Sequence, residues 1–436
     1  MSNQHIEIVP SNVTSDGTIS FKDGQPVIQF IIGEQERYLL GNSLRIVGNF
    51  GVLNGDGELG SANASLSMDG RTSIYSTIDQ LVIKSQATNQ TIEHIRNYNR
   101  FMASILPTTT DLGNGFTDAN NNSLQVLNTK AVKNAIVDNS ANLGKSNTFC
   151  LSLPCGLLSG TGPIPLAQSW GVGGLLIEIH LAPDNNVLYS TDGTGTQIAN
   201  AFYQYKNIAL IAEVQTPPAE QLRSLQSQGA KGSTFEYNSV SSYYTTVNSA
   251  NAIINFSLGL SRVLSVFCNF ITSSHINNRS YNGMATYYPV NSDNTTATIR
   301  QLVFTRGGER LPLEYNIDTI QSRDPTNKFP DCQITRNYLN SIASFPNNNK
   351  MTLVPENMVQ SDGGTITTNK YINGGSGFGV GIAFDNISNQ GINFMNTNFG
   401  INMDMDLTTD NPQSVYMFCH HKSTLVFNPT GIQVIN

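Results

Sequence analysis

Charge is scarce in this chain. Only 13% of its 436 residues are Asp, Glu, Lys or Arg, about half the usual share, so solubility rests on neutral polar side chains rather than on ions. What charge there is leans acidic, with 24 Lys and Arg against 31 Asp and Glu, and the first fifty residues hold only Lys22, Arg37 and Arg45 as cations. That excludes a basic arm able to neutralise phosphate, and with it direct sequence-specific nucleic-acid binding. Tryptophan occurs once, at Trp170, which leaves little aromatic surface for stacking on sugars. Five cysteines (Cys150, Cys155, Cys268, Cys332, Cys419) are odd in number and sit in apolar patterns such as "VFCNF" and "YMFCH". They read as buried free thiols rather than a disulfide framework. Long hydrophobic runs are missing as well. The longest apolar tract, "ANAIINFSLGLSRVLSVFCNF", is interrupted by Asn255 and Arg262, short of the run of about 18 residues that a membrane helix needs. The opening "MSNQHIEIVPSN" has neither the charged start nor the apolar core of a secretory signal, so a non-secreted protein is expected.

What the chain does have is strand signal. Alternating or β-branched runs are punctuated by Asn-Gly, Asp-Gly and Gly-Gly pairs. In the first half these are "VIQFIIG", "YLLGNSLRIVGNF", "TFCLSLP", "GLLIEIHLAP" and "NIALIAEV". The second half offers "INFSLGL", "LSVFCNFI", "GVGIAFD", "FGINMDMDL" and "YMFCHHKSTLVF". Only two stretches carry a helical period. Ile92, Ile95, Met102 and Ile105 share one side of "QTIEHIRNYNRFMASIL", and Ile334, Tyr338 and Ile342 share one side of its later counterpart.

The word counterpart is literal. Gln80-Leu81-Val82 recurs as Gln301-Leu302-Val303, and the same shift carries Glu93 onto Glu314. "RNYNRFMASI" from Arg96 aligns without a gap on "RNYLNSIASF" from Arg336, and each is followed by a proline, Pro107 and Pro346. Further on, "GVGGLLIEIHL" resembles "GFGVGIAFDNI", and "FYQYKNIALIAEV" resembles "VYMFCHHKSTLVF". Such a period is too long for a solenoid and indicates a duplicated domain. Two units of about 200 residues also suit the size of large β-sandwiches. The expectation is an all-β chain of two tandem jelly-roll (β-sandwich) domains with short inserted helices, residues 1–220 and 221–436. The join falls in "TPPAEQLRSLQSQGAKGS", where Pro217-Pro218 ends a strand.

Chemistry is harder to find. Glu178 and His180 stand two apart on one strand, the spacing of a strand-borne metal pair, but Leu175, Ile177, Ile179 and Leu181 form the apolar face. The wet side of a half-buried strand accounts for the pair without a metal. Adjacent His420 and His421 point to opposite faces. In "INMDMDL", Asn402, Asp404 and Asp406 line one face. A flat row holds a cation only if loops join in, so a solvated face accounts for it, with Asp404 and Asp406 left as candidate ligands of a structural cation. "GKS" at Gly144–Ser146 has Asn139 where a phosphate loop needs glycine, and "GGSGF" has Phe378 where a nucleophile elbow needs glycine. Neither a catalytic constellation nor a cofactor motif emerges.

"YLLGNSLRIVGNFGV", then "IDQLVIKSQATNQTIEHIRNYNRFMASIL" and "GVGGLLIEIHLAP", resemble the first jelly roll of the double jelly-roll major capsid proteins of double-stranded DNA viruses, in particular those of polinton-like viruses and virophages. The resemblance spans roughly residues 30 to 215, and the repeat extends it to the second half. It implies a protein made in the host cytoplasm and incorporated in the virion shell. Homotrimers would form pseudo-hexagonal capsomers that touch neighbouring capsomers, penton and minor capsid proteins, with genome contact left to other proteins or to an internal membrane. Trimer contacts or outward turrets are expected in "PTTTDLGNGFTDANNNSLQV" from Pro107 and "SSHINNRSYNGMATYYPVNSDNTT" from Ser273. Two rivals differ in class. A two-domain glycan-processing enzyme needs acidic and aromatic residues at the join, where Glu220 and Glu236 are the carboxylates on offer. A sugar-binding or fibre protein suits the Asn, Thr and Gly content but should show short repeats.

Overall fold

The computed structural model describes residues 3–13, 17–22, 24, 26–33, 37–53, 66–69, 72–105, 147–160, 162–166, 174–190, 200–229, 232–284, 289, 299–311, 317–318, 332–343, 379–384, 390–405, 407, 411–428 and 431–436. In the first half, eight strands carry the fold: β1 (Asn3–Ile8), β2 (Val27–Ile32), β3 (Arg45–Leu53), β4 (Ile78–Ser85), β5 (Thr91–Arg96), β6 (Asn147–Ser152), β7 (Leu175–Leu181) and β8 (Phe202–Gln215). Helix α1 (Tyr98–Ile105) stands between β5 and β6, and α2 (Ala219–Gly229) leads into the second half. There the strands are β9 (Ser233–Val247), β10 (Asn251–Ser257), β11 (Val263–Thr272), β12 (Ile299–Arg306), β13 (Glu309–Leu311), β14 (Val380–Ala383), β15 (Asn398–Met405) and β16 (Gln413–Asn428). Helix α3 (Cys332–Ala343) stands between β13 and β14.

The sheet orders make the duplication explicit. In the first half β1-β8-β3-β6 faces β2-β7-β4-β5, and in the second β9-β16-β11-β14 faces β10-β15-β12-β13, all antiparallel. Adding eight to every label of the first pair of sheets yields the second. This is the jelly-roll order, in which consecutive strands alternate between two sheets except at the β4–β5 and β12–β13 hairpins, and every ladder among these strands stays within one half. Both inserted helices occupy the same connection, as the sequence repeat predicts. Leu81 and its repeat partner Leu302 are each 1% exposed, and Val82 and Val303 each 5%.

Three expectations need correction. Thr91–Arg96, read as the first turns of a helix, is strand β5, laddered on β4 with Leu81 opposite Ile95. Sheet pairing overrides the helical spacing of Ile92 and Ile95, and Asn97, at φ 53°, makes the left-handed break between strand and helix. The strand that begins "GVGGLLIEIHL" corresponds to β15 rather than to β14. β7 lies between β2 and β4 as β15 lies between β10 and β12, whereas β14 is an outer strand beside β11. Third, the linker contains α2, which Pro218 initiates by accepting from the Leu222 N–H.

Side-chain burial follows the sheets. β10 alternates exposed and buried along its whole length, the pattern of a strand with one wet face, while all ten residues of β11 are buried. One apolar cluster fills the second sandwich. The other fills the first sandwich and continues into Phe267, Tyr338, Ile342 and Phe418 of the second. Cys155, Cys268 and Cys419 are buried and Cys150 half-buried, all as free thiols. The Cys332 side chain lies outside the described residues. No helix among the described residues is long and apolar enough to cross a membrane.

Candidate functional site at the junction of the sandwiches

The most concentrated polar chemistry lies where the two sandwiches meet. Glu93, on β5, is 2% exposed. Its Oε1 accepts from the Gly156 N–H at 3.0 Å, the Val240 N–H at 3.0 Å and the Ser239 hydroxyl at 3.3 Å, and its Oε2 accepts from the Leu157 N–H at 2.9 Å. Burial pushes the carboxyl up, and the backbone N–H groups and the Ser239 hydroxyl pull it back. Gly156 is required for this approach, because a Cβ there would collide with the Asn238 carbonyl and sit 2.5 Å from Ser239 Cα and 2.6 Å from Glu93 Oε1. Around this knot β5 lies along β9. The Tyr237 hydroxyl donates to the Ile92 carbonyl at 2.9 Å, and the Arg96 N–H donates to the Ser242 hydroxyl at 2.9 Å.

Beside the knot stands an aromatic cluster. Phe101 of α1 packs on Phe267 of β11 at 6.2 Å between ring centroids and on Phe418 of β16 at 5.4 Å. Tyr338 of α3 closes on Phe267 from the other side at 6.4 Å. Burying each such ring is worth about 2 kcal/mol. The two repeated helices converge on Asn269, whose amide donates to Ser104 of α1 and whose Oδ1 accepts from the Tyr338 hydroxyl at 3.1 Å. The guanidinium of Arg100 lies over Tyr416 at 5.2 Å.

A third contact comes from Ser273–Met284, the start of the second predicted trimer-contact or turret loop. In this chain it docks on its own first sandwich. Arg279 Nε donates to Asn185 Oδ1 at 2.6 Å, its terminal nitrogen donates to the Ala201 carbonyl, and Asn282 donates to Asp69 Oδ1 at 2.9 Å. Arg279 also borders a cleft of about 240 Å³ with Lys22, Asp184 and Phe202. The other predicted contact loop, from Pro107, lies outside the described residues.

The residues singled out from sequence fall elsewhere. Glu178 and His180 share the outward face of β7, as expected, but Glu178 is covered rather than wet. Lys84 Nζ is 2.6 Å from it, the Gln29 amide donates to it at 3.0 Å, and His180 Nε2 stands 3.8 Å away. Burial pushes the Glu178 carboxyl up, yet Lys84 and Gln29 outweigh it and hold the group below its ordinary range. Asp404 sits half-buried on the outward face of β15, opposite Asn251 and Gln301. Asp406 and Glu314 lie outside the described residues. Among the described residues no group of three His, Cys, Asp or Glu side chains is placed to hold a metal. His420 and His421 are both buried, and His421 bonds the Ser241 and Ser423 hydroxyls at 2.9 and 3.1 Å. Glu236 pairs with Arg262 at 2.8 Å, whose hydrogen bond and charge hold it below the ordinary range, a poor state for a general acid. Glu220 is exposed on α2.

Sequence reasoning missed the junction itself. Its one legible sign is that "VLSVFCNFIT" and "VYMFCH" are apolar on both faces, which marks strands covered from both sides.

The strand order defines the class: two jelly rolls in tandem within one chain, the double jelly-roll fold of virus major capsid proteins. No family model and no curated protein matches the sequence. Among solved structures the chain is similar to one from the PBCV-1 virus capsid, at a TM-score of 0.55 and 10% identity over 100% of this chain and 96% of that one. It is also similar to one from the Sputnik virophage, at a TM-score of 0.56 and 13% identity over 99% of this chain and 88% of that one.

Proposed function

We propose that the chain is a major capsid protein of a double-stranded DNA virus, forming homotrimers whose six jelly rolls make pseudo-hexagonal capsomers of an icosahedral shell. The observation that carries this reading is the twofold eight-strand order, matched along the whole chain by capsid structures. Residues 1–220 and 221–436 are the two rolls, with α2 passing between them. A junction built of buried aromatics and a backbone-clamped carboxylate fixes one roll against the other, which a building block of a regular shell requires. Few surface charges lessen repulsion when many copies meet. The role is structural rather than catalytic. Penton and minor capsid proteins complete the shell, over an internal membrane or over proteins that hold the genome. Light scattering of the purified protein tests this: a mass of three chains is expected, and a monomer at every concentration would overturn it.

A further inference from the structure

The cleft beside Arg279 lies at one end of the first sandwich, where the β1–β2, β7–β8 and β11–β12 connections meet. Hydrogen bonds gather them there. The Leu181 N–H donates to the Pro26 carbonyl at 2.7 Å, and Arg279, from the β11–β12 connection, donates to Asn185 and to the Ala201 carbonyl. Drug-sized ligands occupy about 300–1,000 Å³, so a cleft of about 240 Å³ takes one small unit, a single ring with its substituents.

Among the described residues, the charged groups lining the cleft are Lys22 and Arg279 against Asp184. Cations are scarce in this chain, 24 in 436 residues, so two at one cleft are a local excess. Lys22 is exposed, and its ammonium stands 4.3 Å from the centroid of the Phe202 ring, a cation–π contact that holds it at the cleft. Asp184 Oδ1 accepts from the Tyr203 N–H at 3.0 Å, and a carboxylate has lone pairs for further donors. Asn185 gives its Oδ1 to Arg279 Nε at 2.6 Å, which leaves its NH2 as the group to offer a ligand oxygen. Arg279, 8% exposed, is a positioning residue, since its hydrogen bonds fix Asn185 and hold the third connection in place.

Mixed charge narrows the ligand. A bare phosphate would meet Asp184 as a repelling charge, and a neutral sugar would gain nothing from Lys22. A sugar that carries a carboxylate suits both groups, and this recognition needs no tryptophan. We propose that the cleft binds the terminal acidic sugar of a glycan, with its carboxylate on Lys22 and its hydroxyls on Asp184 and the Asn185 amide. So small a contact binds weakly, but a particle that repeats it many times attaches firmly to a glycan-covered surface. That use rests on the capsomer reading; the binding does not.

The test is a titration of the full chain with the methyl glycoside of N-acetylneuraminic acid, followed by saturation-transfer NMR. A Kd on the order of 1 mM is expected. Methyl galactoside should bind about tenfold more weakly, and inorganic phosphate should not displace the acidic sugar. Lys22→Met and Asp184→Asn should each weaken binding about tenfold, and the asparagine keeps an acceptor for the Tyr203 N–H, so the fold is spared. Lys206→Met, exposed on β8 outside the cleft, should change nothing. Absence of saturation transfer, equal binding by phosphate, or binding that survives both cleft variants would overturn the inference. Light scattering on the same samples reads the capsomer separately: trimers that do not bind the sugar sink this inference alone, and monomers that bind it sink the capsomer reading alone.

Discussion

The two sandwiches share one strand order and place their polar groups differently. On the middle strand of the outward-facing sheet, Glu178 stands opposite Val82 and His180 opposite Gln80 in the first roll, and Asn402 stands opposite Val303 and Asp404 opposite Gln301 in the second. The two polar rows are therefore the same two positions of a single plan. In the first roll they carry a buried ion pair with Lys84, and in the second a half-buried neutral amide and a carboxylate. The inner positions agree, Leu81 with Leu302 and Tyr98 with Tyr338, all buried. Apolar alternation preserves the fold through duplication, while polar positions are free to diverge because the strand order does not depend on them.

The junction breaks the comparison most sharply, since Glu93 serves both rolls. Glu93→Ala leaves three buried N–H groups and a hydroxyl without their acceptor and should cost about 4 kcal/mol. Denaturant unfolding of the variant should then separate into two transitions, and the parent is expected to unfold in one. Phe101→Ala, which opens a hole against Phe267 and Phe418, should cost about 3 kcal/mol and loosen the rolls in the same way.

Acid should distinguish the rolls. Burial lowers His420 to about 3 and His421 to about 4. Their folded values lie below the unfolded value near 6.5, so the folded form binds fewer protons, and the stability present above that value is lost as pH falls toward 4. Each histidine contributes a slope of about 1.4 kcal/mol per pH unit in that window. Glu93 in the first roll is raised by burial, so its contribution has the opposite sign and fades as pH rises. Hydrogen exchange at about pH 5, corrected for intrinsic rates, should show β9, β11 and β16 loosening before the first roll, and His421→Asn should flatten the difference. The smallest effect is on the outward face. Lys84→Met should destabilise the first roll by about 1 kcal/mol, because Glu178 loses its cation, while changing the equivalent Thr305 to Val should leave the second roll nearly unaltered.

Much of this plan is legible in the sequence because its signal is local. β10 reads as strict alternation, and the Gln-Leu-Val repeat announces the duplication. Local signal also misleads where two periods coincide: Ile92 and Ile95 suit a helix face, and only the ladder to β4 makes them strand. Glycine-rich openings mark turns rather than strand identity, so β7 and β14 have similar openings but hold different places in their sheets. The junction is not local at all. Glu93 draws its donors from residues 63, 64 and 147 positions away, and no spacing rule connects them.

Images of the assembled protein by electron microscopy, averaged without imposed symmetry, test the central claim most directly. Two equivalent rolls per chain, clamped at Glu93 and joined in a ring of three, predict a six-lobed outline with threefold symmetry. Two-lobed single chains at every concentration would contradict it.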